Sequence, residues 1–186
     1  MQAVGPSYSS LLKPDAAQPD TGTTPGKVTE PEPTFTRSEA LATPTFWLLA
    51  IFTILVWPVQ AGVSLHQAVH FTERGLSPST AVMGVTLFSA ASGICALLLG
   101  LGLRRIGVRA GLVLSACGMA VGTALIGSVS SHSDVLLAAG IFGASLGGLQ
   151  TCLPVAWADY FGRRNFGAIR GVALTIQVTA QAIGPL

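Results

Sequence analysis

The stretch from Gly100 to Leu112, GLGLRRIGVRAGL, sets Arg104, Arg105 and Arg109 between two long apolar runs. Working outward, the run before it reaches back to about Ala81 and the run after it extends to about Val129. Each is close to the roughly 20 residues that a helix needs to cross the hydrocarbon core of a bilayer. A short cationic turn between two such runs is the pattern of a chain that crosses a membrane, turns in water and crosses back.

The composition agrees. Half of the 186 residues are hydrophobic, a tenth are charged and the mean hydropathy is +0.62, whereas soluble domains carry charge on about a quarter of their residues. The lipid bilayer is the first partner that this composition implies. A formal net charge of +2, without interleaved basic and aromatic residues, gives no reason to expect nucleic acid. Cys95, Cys117 and Cys152 lie inside apolar runs, where a thiol packs as a small hydrophobe, and their odd number argues against a disulfide framework.

Five apolar blocks follow one another, near residues 46–65, 81–103, 110–129, 135–157 and 171–186. They are continuous rather than alternating, so the expected fold is all-α, a polytopic transmembrane helix bundle rather than a barrel. The fifth block is still apolar at Leu186, which reads as a chain cut in mid-helix. Residues 1–43 differ in kind: proline, serine, threonine and mixed charge dominate, with no period that buries a face. They are expected to form a disordered linker or tail, ending in a short helix from Ser38 to Ala42 with Ser38 as its N-cap. The first twenty residues lack a basic region followed by a short apolar core, so a cleaved signal peptide is not expected there. Two GxxxG pairs, Gly118 with Gly122 and Gly143 with Gly147, have the spacing that lets helix backbones approach in lipid.

Charge in the gaps fixes an orientation. Arg104, Arg105 and Arg109 follow the second block and Arg163, Arg164 and Arg170 the fourth, while SVSSHSD after the third has no basic residue besides its histidine. Arginine in short loops stays cytoplasmic, so both arginine loops and the amino terminus are expected inside. Asp159 is the one acid at the cytoplasmic end of the fourth block. It can latch to Arg105 or Arg109 across helices, or pair locally with Arg163 four residues on.

Gly100, Arg105, Gly107 and Arg109 fall where the major facilitator superfamily carries its cytoplasmic loop signature, and the chain resembles that superfamily. A longer likeness runs through GLQTCLPVAWADYFGRRNFGAIRG, Gly148 to Gly171, which is similar to the tenth helix and following loop of bacterial members near the oxalate:formate antiporters and monocarboxylate porters. RSEALATPTFWLLA and HFTERGLSPSTA extend the resemblance to about residues 36–186. It departs at Arg104, where aspartate is usual, at Val108, where arginine is frequent, and at Gly102, where leucine is usual. The resemblance implies helices seven to eleven of a twelve-helix secondary transporter, a fragment whose partner is a missing amino-terminal half, in a bacterial inner or plasma membrane. It also implies transport of a small-molecule substrate by alternating access, which needs both halves.

Polar groups inside the spans are the candidate substrate contacts. Gln60 lies beside Pro58, Gln150 four residues before Pro154, and Gln177 and Gln181 one helical turn apart. Pro154 also frees the carbonyl of Gln150 from the helix ladder. Each of these glutamines can instead bond a neighbouring helix. No arginine or lysine interrupts any of the five blocks, so an anionic substrate is not expected to find its counter-charge in this half. His66 and His70 share a helix face with Glu73 close by, but a closed metal site takes about four ligands and the chain has 3 histidines; no metal or other cofactor is expected. His66, nearest the membrane, is a candidate outer-vestibule contact. No nucleophile elbow or phosphate loop is present, so an enzyme is not expected. The rival reading is a non-transporting five-span remnant or interaction subunit.

Overall fold

In hydrocarbon no water is available to peptide groups, so an apolar run that crosses a bilayer closes its own hydrogen bonds as a helix. The computed structural model describes residues 35–185, and there the chain forms α1 (Arg37–Ala42), α2 (Pro44–Glu73), α3 (Pro78–Ile106), α4 (Val108–Gly127), α5 (His132–Phe161) and α6 (Phe166–Ile183). The last five are each long and apolar enough to cross a membrane.

α2, α3 and α5 outrun their apolar blocks at both ends because hydropathy marks the part in lipid, while the hydrogen-bond ladder continues until a cap stops it. Thr43 caps α2, its hydroxyl accepting from Phe46 N at 3.3 Å, and Ser77 caps α3 in the same way through Thr80 N. Pro44 and Pro78 follow those caps, at positions where the missing N–H costs nothing. Ser131 and Asp134 form a capping box at the start of α5. The α3–α4 connection shrinks to one residue, Gly107, at φ 80° and ψ 145°, a region essentially restricted to glycine. The glycine of the loop signature is therefore required by backbone geometry.

The first 34 residues of the expected linker lie outside the described residues. Residues 35–43 fold against the bundle: Asn165 Nδ2 donates to Phe35 O at 2.9 Å, and the Phe35 ring meets Phe161 edge-on at 5.8 Å. The short helix was expected to be capped by Ser38, but Thr36 is its N-cap and Glu39 completes a capping box. The Thr36 backbone N–H and then its hydroxyl hold the Glu39 carboxylate below the usual carboxylate range. This contribution to α1 is present above the ordinary carboxylate pKa and is lost as pH falls through the lowered one.

Lipid tails are as apolar as leucine, so burial alone does not drive these helices together; close packing must. Glycine provides it. A Cβ at Gly143 or Gly147 on α5 would run into the backbone of Phe88 or Ser92 on α3, and one at Gly122 on α4 would lie 2.8 Å from the Phe142 Cα on α5. α5 is thus held between α3 and α4, and its buried residues recur all round the helix. A second seam joins α2 to α6, where a Cβ on Gly62 would lie 2.8 Å from the Gly184 carbonyl oxygen. Near the arginine-bearing end Phe46, Trp157 and Phe161 pack together, with Phe46 and Trp157 centroids 5.2 Å apart. Leucines such as Leu97, Leu98 and Leu101 point outward, as expected of a surface wetted by lipid.

Gly143→Ala should destabilise the bundle by roughly 1–3 kcal/mol through overpacking, read as a fall in the midpoint of thermal unfolding in detergent. Gly93→Ala, where an added Cβ meets nothing within 4 Å, should be neutral or stabilising by up to about 1 kcal/mol from helix propensity. Equal effects of the two would contradict the packing argument.

Candidate transport recess

Pro154 and Gln150 lie one turn apart on α5, facing α2 and α6 across a recess of about 350 Å³. Trp57, Leu149, Leu153 and Pro154 form its apolar wall, and Gln150, Gln177, Gln181 and Arg170 its polar edge. Three of the glutamines singled out from sequence are therefore brought together from two helices. Gln150 is exposed and Gln177 and Gln181 are half-buried.

Gln60 does not line this recess. Its Oε1 accepts from Gln181 Nε2 at 3.1 Å, while its own Nε2 donates to Ser64 Oγ at 3.0 Å. It ties α2 to α6 and holds the Gln181 carboxamide in place. His66 also lies apart: its Nε2 is 3.4 Å from the Pro185 carbonyl oxygen, and it borders a second recess of about 270 Å³ with Gln67, His70 and Thr123. His70 Nε2 lies 3.1 Å from Ile126 O, and Arg74 donates to Gly127 O. These side chains of α2 thus serve carbonyls at the end of α4, which lack partners within their own helix.

Arg170 corrects the sequence reading. It was assigned to a cytoplasmic loop, with every apolar block free of cations, yet α6 begins at Phe166 and carries Arg170 inside the helix and onto the recess. The apolar block starts only at Gly171, so hydropathy drew the boundary one residue too late to include it. Its Nη1 is buried and has no hydrogen-bond partner among the described residues. Gln177 Oε1 is in the same condition. A buried guanidinium nitrogen and a buried carboxamide oxygen left without partners are each costly. They mark where a polar ligand would recover free energy.

Gln67 is a further residue that sequence reasoning passed over. It is buried, with neither polar side-chain atom paired among the described residues. It falls two residues beyond the first apolar block, and only its heptad relation to Gln60 on the same helix signalled that it faces inward.

The arginine loop takes a form that sequence left open. Arg104 and Arg105 lie in the last turn of α3, Gly107 makes the turn and Arg109 belongs to α4. Gly100, upstream on α3, has ordinary space around it, the nearest atom to an added Cβ being Thr151 Cγ2 at 3.9 Å. Arg109 donates a hydrogen bond from its Nε to Tyr160 Oη at 2.6 Å, with the guanidinium 5.5 Å from the ring centroid. Asp159 borders the same recess as Arg109, about 370 Å³ in volume, but is exposed. Arg105, Arg163 and Arg164 are exposed as well.

Five apolar spans packed through glycine, three of them bordering a recess edged by carboxamides and one guanidinium, define a polytopic membrane protein. The chain matches the Major Facilitator Superfamily over residues 9–186 and belongs to it. A comparison with curated proteins finds no match. Superfamily membership makes this a transporter-type protein that handles small solutes across a lipid bilayer.

A double-mutant cycle with Gln60→Leu and Gln181→Leu should give a coupling near 0.6 kcal/mol, the usual size of an interhelical hydrogen bond in lipid. Unfolding of the two single variants and the double variant in detergent checks it; strict additivity would mean that the glutamines do not act on each other.

Proposed function

We propose that this chain forms most of the carboxyl-terminal half of a secondary transporter of the oxalate:formate and monocarboxylate type, and that it binds a small organic anion in the recess between α2, α5 and α6. In this reading the amino-terminal tail and both arginine turns are cytoplasmic, in a bacterial plasma membrane. Positive charge concentrated on one end of the bundle supports that orientation, and the GRRNFGAIRG turn supports the branch. An amino-terminal half completes the cavity, and the two halves rock about the solute.

The observation that carries the anion is Arg170. Among the described residues it is the one charged side chain on the recess, and its Nη1 is buried without a partner there. Four residues into α6, it stands about 6 Å from the start of the helix at about 1.5 Å per residue. An anion in the recess forms a charge-assisted hydrogen bond with this guanidinium. The carboxamides of Gln150, Gln177 and Gln181 lie deeper and offer both donors and acceptors.

In proteoliposomes bearing the intact carrier, radiolabelled organic anions should accumulate while glycerol and ethanolamine do not. Arg170→Gln should lower anion uptake about tenfold to a hundredfold, the loss of a hydrogen bond to a charged group worth about 1.5–3 kcal/mol. Uptake of glycerol or ethanolamine with full indifference to Arg170→Gln would overturn the anion. Labelling of cysteines placed at Val108 and Asn165 from opposite sides of the membrane would overturn the orientation.

A further inference from the structure

We infer that the recess accepts an elongated polyhydroxy carboxylate, a sugar acid, with its carboxylate on Arg170 and its hydroxyls read by Gln177 and the neighbouring carboxamides. This rests on the anion reading above and narrows it.

Seven residues separate Arg170 from Gln177 on α6. That is close to two helical turns, so the two side chains share a face and lie about 10 Å apart along the axis. Gln181 stands one turn further, about 6 Å on. The charge is therefore at one end of the recess and the carboxamides at the other. A compact anion that fills the valence of Arg170 leaves the far end unsatisfied, whereas an extended one reaches both.

The far end also specifies chemistry. Gln177 Oε1 is a buried acceptor with no donor among the described residues. A carboxylate is acceptor-only and cannot serve it; a hydroxyl can, donating its proton while its lone pairs stay open to a carboxamide N–H. Gln181 spends an Nε2 proton on Gln60, and Gln150 borders the same space from α5. A row of hydroxyls meets this mixed set of donors and acceptors better than a methylene chain, which would leave the buried oxygen unpaired.

Three probes separate the contributions: gluconate has charge and hydroxyls, hexanoate the charge and length alone, sorbitol the hydroxyls alone. The intact carrier in lipid nanodiscs is titrated with each at fixed pH and ionic strength, following the fluorescence of Trp57 on the recess wall. Trp57→Phe identifies the signal, and circular dichroism with size-exclusion chromatography verifies folding of every variant. Gluconate is expected to saturate at a concentration at least about tenfold below that for hexanoate or sorbitol. Gln177→Met should weaken gluconate about tenfold and leave hexanoate unchanged. Arg170→Gln should weaken both anions and leave sorbitol unchanged, with Arg170→Lys recovering part of the loss. Equal binding of gluconate and hexanoate, both sensitive to Arg170→Gln, overturns the sugar acid and leaves the anion reading standing. Equal binding of gluconate and sorbitol, insensitive to Arg170→Gln, overturns both. If gluconate gives no saturable signal the sugar acid is wrong, and anion uptake by the intact carrier judges the broader reading separately.

Discussion

Glycine-mediated contact of helix backbones is the constraint on which the rest of this bundle depends. In a bilayer the apolar side chains of α3, α4 and α5 gain little by leaving lipid for protein, so their association rests on dispersion between closely fitted surfaces. Gly143 and Gly147 bring α5 onto the backbone of α3, and Gly122 brings α4 onto α5. Because α5 is fixed on two sides in this way, its remaining face, with Gln150 and Pro154, is presented to α2 and α6. The position of the recess follows from the position of the glycines.

The α2–α6 pair is joined differently. Gly62 and Gly184 allow close approach there too, but the seam also carries the Gln60–Gln181 hydrogen bond. A polar tie of this kind is exchangeable, since a carboxamide released from one partner can take another. Aromatic packing of Phe46, Trp157 and Phe161 closes the arginine-bearing end of the same region, and Phe35, anchored by Asn165, lies against it.

Arg170 brings charge into this arrangement at a tolerable cost. It stands near the end of its helix, where a long side chain can keep part of its guanidinium hydrated, while Nη1 is buried without a partner among the described residues. A cation so placed is attractive to an anion and is not neutralised by a nearby carboxylate among the residues lining the recess. By contrast the exposed arginines of the turns, Arg105, Arg163 and Arg164, act in a wet environment where pairing is weak, and topology is the property they best explain.

Much of this was legible from residues alone. Continuous apolar runs of spanning length dictate helices because the backbone has no other way to be satisfied in lipid. The loop signature named the superfamily, and the in-membrane glutamines named three of the polar groups on the recess. Tertiary structure decided what depends on which faces meet. It separated Gln60 and His66 from the recess, gave Arg109 to Tyr160, moved Arg170 from loop to helix and left Gln67 buried. Hydropathy along a chain reports the solvent that each segment prefers, whereas the partner of a side chain is set by the rotation and approach of helices far apart in sequence, and these are fixed by packing between surfaces that no single segment contains.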